Sequence, residues 1–233
     1  MSQTVLQLDA DRHTHVFLIH GTGGAVLVDT GPPGAADAIL EQMHGHGVAP
    51  QDLRLILITH GHTDHFGGAG ALRERTGAPV AIHKLDAEAL RQGVHQPDSL
   101  KPTGPLWALA MRLSALRNLA VPDRVPSLEP DVAFETPFRL ETYGVAGQAI
   151  HTPGHTPGAV SVVLDDGTAI VGDMVMGRLL GLLPGLGGPI VAWDLEQNWD
   201  SVRKLLAYSP RIIYTAHGGP FQAEDISRLS ARK

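Results

Sequence analysis

Three imidazoles and a carboxylate, His60, His62, Asp64 and His65, fall within six residues of one another, directly after the apolar run Leu53 to Thr59. No other feature of the chain constrains its fold as strongly. The run LRLILIT is short and apolar enough to be a strand buried on both faces, so the histidines sit where a core strand ends. Side chains alternate along an extended chain, which sends His60 and His62 to the same side. Asp64 and His65 follow as the chain turns towards a helix, and they can face a second, nearby point. Imidazoles and a carboxylate beside an apolar strand are costly unless something coordinates them. Neutral imidazole and carboxylate are ligands that zinc, iron(II) and manganese accept.

The chain has 13 histidines and no cysteine, so a metal site must be built from nitrogen and oxygen. Disulfides, thiolate ligands and a cysteine nucleophile are excluded for the same reason. Eighteen basic against 24 acidic residues give a net charge of −6, which argues against a phosphate-coating surface and a nucleic-acid partner. The opening MSQTVLQLDADR lacks the apolar core of a signal peptide, and no run of about 18 apolar residues is present. The expectation is a soluble, cytoplasmic protein acting on a small molecule, away from membranes.

Residues 15–20 and 25–29 read as strands separated by a glycine-rich turn, and 35–47 as a helix carrying Ala36, Ile39, Leu40 and Met43 at helical spacing. A helix over 68–76 and a short strand over 79–83 follow. Residues 93–127 are rich in proline and enclose LWALAMRLSALRNLA, whose Leu106, Leu109, Leu113 and Leu116 share one stripe. This reads as an inserted amphipathic helical segment, either a lid over a pocket or an ordinary packing helix. Strands are expected over 138–143, 146–151, 159–164 and 168–172. Residues 177–193 are apolar but full of glycine and proline and read as a loop. Asp194 is positioned to cap a helix running to about Tyr208, with Gln197 three residues on. A strand over 211–215 and a helix over 222–231 close the chain. No linker divides it, so one domain over 1–233 is expected.

The His-x-His-x-Asp-His segment resembles the signature of the metallo-β-lactamase-fold superfamily, and further landmarks follow in the same order. His151-Thr152-Pro153-Gly154-His155 looks like the family's second motif, Val171-Gly172-Asp173 like its strand-end aspartate, Thr215-Ala216-His217-Gly218-Gly219 like its last histidine motif, and Val28-Asp29-Thr30-Gly31 like its early turn. The resemblance implies an α/β fold of the four-layer αββα sandwich type. It also implies two divalent metal ions, zinc, with iron or manganese as alternatives. His60, His62 and His155 would hold the first ion, Asp64, His65 and His217 the second, and Asp173 would bridge them with a hydroxide that attacks the substrate. Asp64 would also relay a proton to the leaving group. Asp29 would either orient a ligand imidazole or bond the backbone of its own turn. The other eight histidines, His13, His15, His20, His44, His46, His83, His95 and His151, match no motif and are expected to be exposed or hydrogen-bonded.

The reaction class implied is hydrolysis of an ester, thioester or lactone in a small, partly apolar substrate. Glyoxalase II-type thioesterases carry a C-terminal helical extension, for which Gly218 to Lys233 is too short. Related lactonases place a tyrosine where this chain has Met176. The leucine-rich segments 104–120 and 177–193 are expected to wall a substrate pocket through Leu106, Leu109, Met176, Arg178, Leu179, Leu180 and Leu183, or else to form a homodimer interface. Two other readings stand beside the hydrolase: a mononuclear iron enzyme resembling persulfide dioxygenases, and a non-catalytic metal-binding protein of the same fold.

Overall fold

The computed structural model describes residues 3–116, 122–179 and 183–233. Two six-stranded sheets carry the fold. The first contains β1 (Thr4–Asp9), β2 (His15–Gly21), β3 (Gly24–Val28), β4 (Leu53–Ile58), β5 (Val80–His83) and β6 (Val132–Phe134) in that order. It is antiparallel through β1, β2 and β3 and parallel from β3 to β6. The parallel connections are made by α1 (Ala36–Gly45), α2 (Thr63–Phe66), α3 (Ala69–Thr76), α4 (Ala87–Gln92) and α5 (Pro105–Leu116). The second sheet is built from β7 (Phe138–Arg139), β8 (Gly147–His151), β9 (Val160–Leu164), β10 (Thr168–Ile170), β13 (Ile212–Tyr214) and β14 (Phe221–Gln222). The strands β11 (Met176–Leu179) and β12 (Leu183–Gly187) pair as a separate hairpin, and α6 (Leu195–Leu206) and α7 (Ala223–Ser230) complete the chain.

Strand periodicity sorts the core into three apolar layers. Phe17, Ile19, Val26, Val28, Leu55 and Leu57 of the first sheet meet Ala149, Val160, Val162, Leu164 and Ile170 of the second. The alternate residues of the first sheet, among them Leu18, Leu27, Ile56, Ile58 and Ile82, pack on Ile39 and Met43 of α1, Leu72 of α3 and Leu90 of α4. On the far side of the second sheet, Val163, Ala169 and Ile213 pack on Trp199, Val202 and Leu205 of α6 and Ile226 of α7. The result is the helix–sheet–sheet–helix sandwich expected from the sequence. Asp194 caps α6, its carboxylate accepting from the Gln197 amide at 3.0 Å. Among the described residues, no helix is long and apolar enough to cross a membrane.

Three local expectations change. Residues 138–143 form a two-residue strand and then a 3₁₀ turn, Glu141–Tyr143, that ends at Gly144 (φ +86°). Gly144 lies so close to the backbone of Gly23 and Gly24 that a Cβ there would fall 2.4 Å from Gly23 C, which together with the positive φ requires glycine. The segment read as a loop over 177–193 contains the β11–β12 hairpin, with Met176 opposite Gly187 and Leu179 opposite Leu183. The segment TVLQLD, read only as a polar start, is an edge strand paired along its whole length with β2.

Candidate metal centre

The sequence-predicted donors all follow the C-terminal ends of strands. His60, His62, Asp64 and His65 follow β4, His155 follows β8, Asp173 follows β10 and His217 follows β13. The first sheet thus supplies four of them and the second sheet three, and they meet at one end of the inter-sheet core. His62 is extended (φ −107°, ψ 144°), and α2 begins at Thr63, turning Asp64 and His65 away from the direction of His60 and His62. Gly172 lets the Asp173 strand end come close: it has φ +54°, and a Cβ there would lie 2.7 Å from Thr59 Oγ1.

The side chains converge in two linked groups. His155 Nε2 lies 3.2 Å from His60 Nε2 and 3.1 Å from His62 Nδ1. His65 Nε2 and His217 Nε2 lie 3.9 and 3.7 Å from Asp64 Oδ2. Asp173 stands between the groups, with Oδ1 3.4 Å from His65 Nε2 and Oδ2 3.4 Å from His217 Nε2 and 3.7 Å from His155 Nε2.

Hydrogen bonds on the outer ring nitrogens fix which nitrogen of each imidazole faces inward. His155 Nδ1 donates to Val191 O (2.9 Å), His217 Nδ1 to His13 O (2.7 Å) and His65 Nδ1 to Asp29 Oδ2 (2.9 Å). Thr59 Oγ1 gives its proton to Asp29 Oδ2, so it accepts from His60 Nδ1 at 3.0 Å. Ser99 Oγ gives its proton to Gln96 O, so it accepts from His62 Nε2 at 2.7 Å. Each imidazole therefore turns its second ring nitrogen towards the common centre, where it offers a lone pair when that nitrogen is unprotonated. Lone pairs about 3 Å apart repel unless a cation lies among them, and His65 Nε2 and Asp173 Oδ1 are buried with no hydrogen-bond partner. The donor set fits divalent metal ions.

The electrostatics agree. Burial holds the pKa of His60, His62 and His155 below the ordinary histidine value, keeping them neutral. Burial also acts to lower His65 and His217, but Asp173 and the neighbouring carboxylates outweigh it, raising His65 well above the usual value and His217 to about 9. Burial acts to raise Asp173, but His217 and His65 overcome it and hold the carboxyl well below its usual range. Protons on His65 and His217 thus occupy the place of positive charge that metal ions would supply.

A family model described as the metallo-beta-lactamase superfamily matches residues 10–217. The chain belongs to that superfamily. The "Probable metallo-hydrolase YflN" of Bacillus subtilis is 31% identical over 227 residues, covering 89% of this chain and 81% of its own length. A hydroxyacylglutathione hydrolase of Anaeromyxobacter dehalogenans is 39% identical over 102 residues, covering 44% of this chain and 37% of its own. Among solved structures, a subclass B3 metallo-beta-lactamase of Bradyrhizobium japonicum superposes with a TM-score of 0.68 at 20% identity, covering 99% of this chain and 89% of that one. At that identity the likeness is one of fold. The chain is thus a member of a metallo-hydrolase superfamily with a histidine and aspartate cluster suited to metal.

Within this superfamily member, Asp29 has φ +64° and its carboxylate points beneath the end of β4 rather than at its own turn. It accepts from Thr59 N, Thr59 Oγ1 and His65 Nδ1, all within 2.9 Å. The expected pocket residues fare differently. Leu106 and Leu109 are 64% and 56% exposed. Met176 is buried, at 6% exposure. The backbone at Arg178, Leu179 and Leu183 belongs to the hairpin, and Leu180 lies outside the described residues.

Two residues of the site match no sequence motif. Asp86 stands at the start of α4 but does not cap it. Its carboxylate instead accepts from Gly61 N (2.8 Å), Gly158 N (2.7 Å) and Thr156 Oγ1, joining the loop of His60 and His62 to the loop of His155. Its only local signal is an aspartate at a helix start, which is usually a cap. His95, one of the eight histidines without a motif, lies beside the donors: His62, Asp64 and His95 each bring a ligand atom within 4.8 Å of the others. Thr63 Oγ1 donates to Pro122 O and so accepts from His95 Nε2 at 3.1 Å, which ties His95 to the loop between two donors.

His83, at the end of β5, is 4% exposed and stacks on His151, with ring centroids 4.5 Å apart and planes 11° from parallel. Burial, then His151 and Lys84, lower its pKa to about 4. The unfolded chain takes up this proton near pH 6.5 and the folded chain only near 4, so stability falls as pH drops through that window. His83→Gln is expected to flatten the fall by about 3 kcal/mol. Urea melts of both proteins between pH 6.5 and 4 measure it, and equal slopes would refute it.

Proposed function

We propose that the protein is a binuclear metallo-hydrolase, with zinc at both positions, that cleaves an ester, thioester or lactone in a small, partly apolar substrate. One observation carries the reading: Asp173 lies within 3.4–3.7 Å of donors from both groups, so a single carboxylate can serve two ions. A pair of divalent ions about 3.5–4 Å apart would supply a hydroxide nucleophile near neutral pH and polarise the scissile carbonyl. His60, His62 and His155 would hold one ion, Asp64, His65 and His217 the other.

The remaining work falls to the chain. Asp29, Ser99, Val191 and His13 hold the imidazoles rigidly, so that no reorganisation is needed during reaction. Asp64 has a side chain 14% exposed, against 6% or less for Asp173, His65 and His155, so among these it is the one placed to pass a proton to a leaving group. The start of α5 supports an apolar wall near the His155 side. Thr103 N donates to Ile190 O and Ala192 N to Lys101 O, flanking the Val191 carbonyl that holds His155. The exposed leucines of α5 therefore extend from a base attached beside a donor loop.

Metal analysis of protein purified without added metal, followed by a panel of esters, thioesters, lactones, phosphodiesters and a chromogenic β-lactam, tests the proposal. Hydroxyacylglutathione joins the panel because of the Anaeromyxobacter relative. Two zinc ions per chain with ester, thioester or lactone turnover are expected. One iron ion with oxygen uptake on a persulfide, or no turnover with metal loaded, would overturn it.

A further inference from the structure

Between Asp98 and Asp123, and again between Asp173 and Asp194, the chain has no acidic residue. Those 44 residues carry four basic side chains, against 14 basic and 24 acidic in the other 189. The two stretches also touch. Pro102 bridges Val191 in antiparallel sense, Thr103 N donates to Ile190 O, and Ala192 N donates to Lys101 O. This pairing brings Leu100 level with Trp193, and both are exposed. Of the seven large apolar side chains exposed among the described residues, these two and Leu106, Leu109 and Leu113 of α5 make five. Apolar exposure is thus gathered on a basic part of an acidic molecule.

The helix α5 has an outer and an inner face. Leu106, Leu109 and Leu113, at i, i+3 and i+7, form an exposed outer stripe, while Trp107, Ala108 and Met111 lie behind it and are half-buried. No described side chain of α5 belongs to the three apolar layers of the core. Arg112 is exposed and borders the stripe. The segment is nonetheless fastened at both ends. Before α5, Ser99 Oγ accepts from His62 Nε2, and Lys101 and Thr103 pair with the strip whose Val191 carbonyl holds His155. After α5, Pro122 O accepts from Thr63 Oγ1. The stripe therefore meets solvent from a helix anchored on the donor loops.

We propose that α5, together with Leu100 and Trp193, docks the protein on an anionic lipid surface. Leucines and a tryptophan on one side, with arginine at the border, are what a helix lying in the headgroup plane presents. Its apolar residues enter the acyl boundary and its basic residues reach the lipid phosphates. Charge favours this occupant over a second copy of the chain. A two-fold pairing would set Lys101 and Arg112 against a surface of their own sign, and neither stretch supplies a carboxylate to meet them. Anionic headgroups supply that charge. Acidic residues more than about 8 Å from the bilayer are screened at physiological salt, so the net charge of the chain does not forbid the approach. The 12 residues of α5 span about 18 Å, so the helix lies on the surface and does not cross it. The proposal holds whichever bond the metal centre cleaves.

Co-sedimentation of the purified full chain with phosphatidylcholine vesicles, with and without phosphatidylglycerol, tests it. Binding to the phosphatidylglycerol vesicles is expected, about tenfold or more stronger than to phosphatidylcholine alone, and falling as salt rises. Leu106→Ser, Leu109→Ser and Leu113→Ser combined should weaken it by at least about tenfold. Lys101→Gln and Arg112→Gln should each weaken it about fivefold on the anionic vesicles and leave the weaker binding to phosphatidylcholine unchanged. Tyr208→Ser, at an exposed aromatic outside both stretches, is the control and should change nothing. Melts followed by circular dichroism should match the wild type, because every replaced side chain is exposed. Should the leucine variant melt early, the two charge variants and the salt series still decide. A wild type that ignores anionic vesicles overturns the proposal, as does binding that the leucine and charge variants leave intact. A wild-type dimer that the leucine variant splits, with no vesicle binding, would assign the stripe to a second copy instead.

Discussion

Asp173→Ala is expected to lower the metal content from two ions to one or none and to cut kcat/KM by at least about a thousandfold. Among the described residues, Asp173 is the one side chain within 3.7 Å of His155, His65 and His217 together. Several kcal/mol of transition-state charge stabilisation depend on the ions it would help to hold, and each 1.36 kcal/mol is a factor of ten. The metal-free protein also changes. Asp173 is the largest influence raising His217 to about 9, so without it burial drives His217 towards its neutral form. His65 Nε2 and His217 Nε2 are then buried together with less negative charge between them. Asp173→Asn keeps the volume and loses the charge, so it should fall near the alanine variant and not near the wild type. Metal analysis after dialysis, competition against a chromogenic chelator and kinetics on the best ester of the panel read out the three effects. Two ions retained with turnover within about tenfold of wild type would show that the bridge is not needed.

The strand-end cluster was legible because its chemistry and its periodicity coincide. A period-two step separates His60 from His62, and the step into α2 separates both from Asp64 and His65. The layered fold could be read from the same alternation, since each strand of the inter-sheet core shows one face to the other sheet and one to the helices. The hairpin at Met176 was hidden because glycine and proline lower strand propensity, and here strand pairing overrides composition. The edge strand β1 was hidden because Thr4, Gln7 and Asp9 interrupt its apolar residues and give a segment that looks polar. His95 and Asp86 were not legible at all. Their partners are 32 and up to 72 residues away, and no local spacing encodes such pairs.

Asp86 carries the largest expected effect on stability, and Asp86→Ala is predicted to cost about 3–5 kcal/mol. The side chain is fully buried. Removing it leaves three donors without an acceptor, Gly61 N, Gly158 N and Thr156 Oγ1, and each orphaned buried donor costs about 1–3 kcal/mol. Asparagine should not rescue it. Oδ2 accepts from both Gly61 N and Thr156 Oγ1, and Oδ1 accepts from Gly158 N, so either orientation of an amide sets its NH₂ against a donor. Nor is there room for a longer acid, because a Cβ at Gly158 would already lie 2.6 Å from Asp86 Oδ1. The cost also reaches the metal centre. Gly61 separates His60 from His62 and Thr156 follows His155, so loosening these loops moves the His155 nitrogen away from those of His60 and His62, now 3.2 and 3.1 Å from it. Zinc affinity should fall by about 10–100-fold, the usual effect of losing a group that orients ligands. Glu88→Ala serves as the control on the same helix: its partners Arg91 and Gln92 are exposed, and its loss should cost no more than about 1 kcal/mol. Urea melts of the metal-free and zinc-loaded proteins separate fold from site. If Asp86→Ala unfolds within about 1 kcal/mol of wild type in both states, the two donor loops hold each other in place without it.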